Sequence, residues 1–303
     1  MLLNCDKPYA NKTFPSASFL IRLIRHPARL LVVSFAAAIL VGAALLALPL
    51  ASTSSPLAFV DALFMATSAV CVTGLAVVDP GGALSGFGQA VLLGLVQIGG
   101  LGIMTLSSTL LLLIGQDISL SSSDAVQDSF FTSHRLGLGA LLRLVFLWTL
   151  TIEALGAVVL FLTESQRLPL EQAAWVSVFH AISAFCNAGF GLRPDNLMAD
   201  RANIGIVLPI SLLIILGGLG FAVLAELARW SRRRLRRQRT PLSLHTKVAL
   251  TMTGALLLVG MVGFILLERA NLLVGMSLQE TLLVGWFASV TPRTAGFNTV
   301  DYA

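Results

Sequence analysis

The sequence predicts an all-α integral membrane protein made of repeated units: span, short pore helix, glycine loop, span. Composition is the first reason. Apolar residues make up 56% of the chain and charged residues 12%, against roughly 45–50% and about 25% in soluble domains. Mean hydropathy is +0.87. The second reason is run length, since five long apolar runs alternate with three that are too short to cross a bilayer. The third is a repeat at the end of each short run. It reads Phe64-Met-Ala-Thr-Ser-Ala-Val-Cys-Val-Thr-Gly74, then Phe179-His-Ala-Ile-Ser-Ala-Phe-Cys-Asn-Ala-Gly189, then Trp286-Phe-Ala-Ser-Val-Thr-Pro-Arg-Thr-Ala-Gly296.

A hydrocarbon core of about 30 Å takes about 20 helical residues to cross. Runs 28–50, 87–114, 139–162, 204–230 and 246–267 meet that length. Runs 57–72, 170–187 and 277–293 do not. At 1.5 Å per residue they reach only ~24–27 Å, the length of a re-entrant helix. Each has helix-start chemistry. Ser55-Pro56 reads as a cap with a first-turn proline, Pro169 with Glu171 serves the second, and Ser277 with Glu280 forms a capping box.

The resulting organisation is an N-terminal cytoplasmic segment (1–27), a first unit (28–115), a cytoplasmic linker (116–138) and a second unit (139–230). A basic cytoplasmic loop (231–245) and a third unit ending after its glycine loop (246–303) complete it. Two spans per unit bring every glycine loop to the same side. Arg22, Arg25 and Arg29 flank the first span, and Arg229, Arg232, Arg233, Arg234, Arg236, Arg237, Arg239 and Lys247 fill the break near 235. Cytoplasmic retention of Lys and Arg puts both blocks inside and the glycine loops outside. Blocks this close to spans argue against nucleic-acid binding. The first apolar run is too long for a cleaved signal.

Irregular backbone at membrane depth survives only where protein buries it or water lines it. A short helix that stops there and returns as an extended strand leaves carbonyls free, and several such strands around an axis can replace an ion's hydration shell. Glycine serves the narrowest point because it has no side chain and few φ limits. The helix C-terminus adds about half an elementary negative charge, which favours a cation. No charged side chain replaces the glycine in any repeat. The expected ion-binding backbone is Val72, Thr73 and Gly74; Asn187, Ala188 and Gly189; Thr294, Ala295 and Gly296.

The segment Thr67-Ser-Ala-Val-Cys-Val-Thr-Gly-Leu-Ala-Val-Val-Asp79, the two Gly-Gly-Leu-Gly spans and Ser289-Val-Thr-Pro-Arg-Thr-Ala-Gly-Phe-Asn298 resemble the Trk/Ktr/HKT family of potassium transporters. The bacterial Ktr/Trk membrane subunit is the nearest type, and the likeness covers nearly all of residues 20–303. The resemblance implies four units around a pseudo-fourfold, potassium-channel-like pore, a homodimer, and a cytoplasmic ring of nucleotide-binding regulatory subunits. It also implies a bacterial inner-membrane location, potassium as the transported ion and sodium as a candidate co-ion, with no cofactor in the chain. Against that pattern the sequence stops after the third glycine loop, so the expectation is a fragment lacking the fourth unit.

Other residues keep two readings. Gly99-Gly-Leu-Gly-Ile103 and Gly217-Gly-Leu-Gly-Phe221 signify close helix packing or a hinge. Glu153, inside a span, is a functional carboxyl or a hydrogen-bonded brace for the filter scaffold. Glu226 reads as interfacial, near Arg229. Arg232, Arg233, Arg234, Arg236 and Arg237 form a docking site for the regulatory ring or contact anionic lipid. Asp79, Asp195 and Asp301 concentrate cations or cap turns, and Arg293 points away from the ion path to brace its loop. Cys71 and Cys186 read as small packing residues. Three cysteines and four dispersed histidines give no disulfide framework and no metal-ligand spacing. No nucleophile–base constellation supports an enzyme. The competing function is a non-conducting scaffold or regulatory membrane protein. An inverted-repeat transporter fits worse, because inversion needs an odd number of spans per unit.

Overall fold

The structure is a computed structural model that describes residues 27–117, 138–238 and 241–301. Helices α1 (Pro27–Leu46), α2 (Phe59–Val70) and α3 (Gly86–Asp117) form a first group, with a one-turn helix at Pro80–Ala83. Helices α4 (Leu138–Glu164), α5 (Leu170–Phe185) and α6 (Ile204–Leu219) form a second. Then come α7 (Phe221–Leu235), α8 (Leu244–Glu268) and α9 (Leu278–Val290). Among the described residues there is no strand, only a lone bridge between Ser52 and Leu84.

Each short helix packs against the long helices of its own group, α2 on α1 and α3, α5 on α4 and α6, α9 on α8. The groups join through α3 on α5 and α6 on α9. Two apolar cores fill these seams. One gathers Met65, Val70, Leu92, Phe179 and Phe190, and the other Phe185, Ile210, Ile214, Phe287 and Phe297. Outside, Leu155, Val158 and Leu162 of α4 and Leu256, Leu258 and Val259 of α8 are exposed. A contiguous apolar exterior of this kind suits hydrocarbon rather than water. Arg143–Glu164 within α4 and all of α8 are long and apolar enough to cross a membrane. These helices belong to a multi-pass membrane protein.

Three expectations need correction. The span expected at 204–230 is not continuous, because α6 and α7 meet at Gly220 with a bend of 105°. Gly220 has φ 80 and ψ 154, a region open essentially to glycine alone. Arg229, Arg232, Arg233 and Arg234 on α7 give the physical reason, since hydrocarbon would penalise each of them. The first long helix stops at Leu46, ahead of Pro49, rather than at residue 50. The Ser55-Pro56 cap does not form. Helix α2 begins at Phe59 with Ala58 at its N-cap and no side-chain cap. Upstream, Thr53 is tied to the one-turn helix, its N–H bonding Ala83 O at 3.0 Å and its Oγ1 bonding Gly82 O at 2.7 Å, and a residue before proline disfavours helix. The Ser277–Glu280 capping box forms in full.

Candidate functional site

The first two short helices end alike. After α2, Val72 N–H bonds Ala69 O at 3.1 Å and Thr73 N–H bonds Ser68 O at 2.8 Å. After α5, Asn187 N–H bonds Ala184 O at 3.0 Å and Ala188 N–H bonds Ser183 O at 2.8 Å. This is the paired closure of a helix C-terminus around a left-handed residue, and Val72 (φ 55) and Asn187 (φ 58) are those residues. The third loop reaches a related shape by another route. Pro292 has no N–H to give, α9 stops at Val290, and Ala295 N–H bonds Thr291 O at 3.0 Å. Thr294 (φ 69) then takes the left-handed position.

Two residues beyond each lies the repeat glycine, with φ of 83 at Gly74, 73 at Gly189 and 73 at Gly296. The three meet at one place. A Cβ on Gly74 would stand 2.5 Å from Ala188 O, and one on Gly189 would stand 2.5 Å from Ala295 O. A Cβ on Gly296 would lie 3.0 Å from the Cα of Gly189 and 3.4 Å from that of Gly74. All nine residues expected to bind ions therefore sit in three backbone turns that adjoin one another. Positive φ and the absence of room for a side chain give each glycine two independent reasons.

The Gly-Gly-Leu-Gly segments hold these turns from behind. A Cβ on Gly99 would come within 2.2 Å of Val70 O, and one on Gly217 within 1.8 Å of Phe185 O. Each first glycine thus backs onto the last helical residue of its own group's short helix. The second glycine meets the next loop along the chain instead, Gly100 against Cys186 Sγ and Gly218 against the guanidinium of Arg293. Close packing describes both segments, and the bend at Gly220 adds a break to the second. Arg293 points to α6 and lines an open cavity of about 810 Å³ shared with Gly218, Ser289, Pro292 and α8.

Polar side chains brace the second loop. Buried Glu153 accepts from Gln97 Nε2 at 3.2 Å, and its Oε1 lies 3.8 Å from Cys186 Sγ. Its position is that of a brace. Cys71, by contrast, is exposed. Asp79 caps the one-turn helix by accepting from Gly81 and Gly82, and Asp195 accepts from Ala199 N–H. Both do turn work. The five arginines expected to dock a partner are exposed, Arg232, Arg233 and Arg234 in the last turn of α7 and Arg236 and Arg237 just past its end, with Arg234 5.5 Å from the ring of Trp230. Glu226 does more than sit near Arg229. It accepts from Ser243 N–H at 2.5 Å, Ser243 Oγ at 2.6 Å and Thr246 Oγ1 at 2.5 Å, clasping α7 to the start of α8. Partial burial raises its pKa, but these hydrogen bonds and Arg229 outweigh that and hold it below the usual carboxylate range.

Sequence reasoning missed the ionic cluster beyond the second glycine. Arg193 bonds both carboxylate oxygens of Glu164 at 2.8 Å and pairs with Asp200, which Arg167 also reaches at 2.7 Å. Four charges beside an apolar chain's second loop were the available signal, but their pairing depends on the fold.

The TrkH profile, described as a cation transport protein, matches residues 25–303. The chain is 40% identical over 278 residues to Ktr system potassium uptake protein B of Bacillus subtilis, covering 91% of this chain and 61% of that protein. It is 37% identical over 278 residues to the potassium/sodium uptake protein NtpJ of Enterococcus hirae, covering 91% and 60%. Against Ktr system potassium uptake protein B of Vibrio alginolyticus it is 38% identical over 275 residues, covering 90% and 59%. The chain thus spans about three fifths of the length of these relatives. With adjoining glycine turns, an apolar exterior and a family match along nearly its whole length, the chain belongs to the TrkH family of cation transport proteins.

Proposed function

We propose that the three glycine turns are parts of a carbonyl-lined, cation-selective filter in a potassium-uptake subunit. The observation that carries this reading is the convergence of Gly74, Gly189 and Gly296, with Ala188 O and Ala295 O directed at neighbouring glycines. Carbonyl oxygens at close quarters can substitute for an ion's water. Helices α2 and α5 end at these turns and add negative potential from their C-termini. Two relatives carry potassium uptake in their names and a third potassium/sodium uptake, which supports potassium as the ion and sodium as a co-ion.

In this reading the subunit lies in the bacterial inner membrane with its N-terminus and α7 on the cytoplasmic side. It acts as a homodimer gated by a cytoplasmic nucleotide-binding ring, for which Arg232, Arg233, Arg234, Arg236 and Arg237 offer a contact surface. The test is growth of a potassium-uptake-deficient bacterium on low potassium. The full-length protein should restore growth together with its cognate regulatory subunit. Failure to restore growth or rubidium uptake, with the protein present in the membrane, would overturn the reading.

A further inference from the structure

The chain after the second glycine is fastened on two sides. On one, Arg193 is held by Glu164 and Asp200, two carboxylates that are only 3% and 2% exposed. Buried carboxylates persist where they are paired, so the arginine's place is set. On the other, Leu197 N–H donates to Asn298 O at 3.1 Å, tying this segment to the one just past the third glycine. Asn196 stands between these anchors. Its φ of 56 is a conformation asparagine tolerates better than most residues. Its N–H bonds Arg193 O at 3.1 Å, and its Nδ2 donates to the carbonyl of Gly189 at 3.3 Å.

That carbonyl belongs to the repeat glycine, and its direction differs from its neighbour's. Ala188 O faces Gly74, whereas Gly189 O is taken up by the Asn196 amide. Glycine's wide φ/ψ freedom gives this peptide little intrinsic preference, so an outside contact must fix it. We propose that Asn196 is a positioning residue for ion selection. Its amide holds the Gly189 carbonyl, so that the adjacent Ala188 carbonyl keeps its aim and the number of oxygens offered at the junction stays constant. The Glu164–Arg193–Asp200 cluster is the mount that keeps Asn196 in place. This role rests on the glycine turns being the filter.

Two substitutions in the full-length protein test it. Asn196→Gly removes the amide and keeps a backbone suited to positive φ. Asn196→Asp keeps the shape and replaces the donor with an acceptor. The readout is the ratio of initial potassium to sodium uptake in proteoliposomes, with melting temperature as a parallel measurement. Asn203→Asp controls for added charge, because Asn203 caps α6 through its Oδ1, a role a carboxylate also fills. Both Asn196 variants should lower the ratio by about three- to tenfold, the range one lost hydrogen bond supplies, while melting within a few degrees of wild type. Asn203→Asp should leave it unchanged. An unchanged ratio in both Asn196 variants, with a lowered ratio in Gly189→Ser, would overturn the role of Asn196 and leave the filter reading standing. An unchanged ratio in Gly74→Ser, Gly189→Ser and Gly296→Ser as well would overturn both.

Discussion

Gly217 backs directly onto the carbonyl of Phe185: a Cβ at that position would lie 1.8 Å from the oxygen. Gly99 stands in the same relation to Val70, at 2.2 Å. A long helix is thereby pressed against the end of a short one in both complete groups, just where each glycine turn begins. The contact is to backbone, which cannot rotate aside as a side chain can.

Gly217→Ala and Gly99→Ala should therefore reduce folded yield and lower the melting temperature, at a cost of at least about 1–3 kcal/mol, the usual range for overpacking. Gly254→Ala on α8 is the comparison, because nothing lies within 4 Å of its Cβ position. That change should be neutral or stabilising by up to about 1 kcal/mol. Equal losses at all three positions, measured by thermal unfolding in detergent, would show that helix propensity rather than contact governs these sites.

The ionic cluster behind the second loop gives a second expectation. Arg193→Gln would leave buried Glu164 without its cation and Asp200 with only the half-exposed Arg167, a change that costs about 3–5 kcal/mol. Arg167→Gln should cost much less, because the Arg167 side chain is 51% exposed and exposed pairs contribute at most about 1 kcal/mol. Thermal unfolding of the two variants checks the order. A larger loss at Arg167 would mean that Asp200 depends on Arg167 and not on Arg193.

The clasp at Glu226 should respond to acid. Its folded pKa lies below the ordinary carboxylate value, so the clasp is complete above the unfolded-state pKa. It weakens as pH falls through the folded one. Hydrogen exchange at the Ser243 amide, which donates to Glu226, should accelerate below that range beyond the intrinsic trend. In Glu226→Gln the amide should exchange faster at neutral pH and lack the acid step. An acid step of the same size in Glu226→Gln would assign it to another group.

Much of this arrangement is legible in the sequence, and particular residues show why. The Ser277–Glu280 box is local chemistry four residues long, and it forms. The three glycines are visible because the repeat preserves their spacing. The bend at Gly220 is harder, since Gly217-Gly-Leu-Gly and Gly99-Gly-Leu-Gly are locally the same. Helix α3 runs through Gly102 unbroken, whereas the chain turns at Gly220 ahead of an arginine-rich segment. The difference lies downstream of the motif, in the arginines of α7. The Arg193 cluster and the Asn196 contact stay hidden because α4 and the second return segment meet only after the group folds. Pro292 is in plain view, but only the structure shows that α9 stops at Val290, two residues short of the position where α2 and α5 end.

The most direct test substitutes the three glycines in the full-length protein. Gly74→Ser, Gly189→Ser and Gly296→Ser each place a side chain where the neighbouring turn already stands. Gly42→Ser meets the flexible end of Leu95, in the seam between α1 and α3. At matched protein levels, the ratio of apparent affinities for potassium and sodium should fall in all three loop variants, while Gly42→Ser should alter stability alone. If the ratio stayed at the wild-type value in all three, the glycine turns would not be the filter.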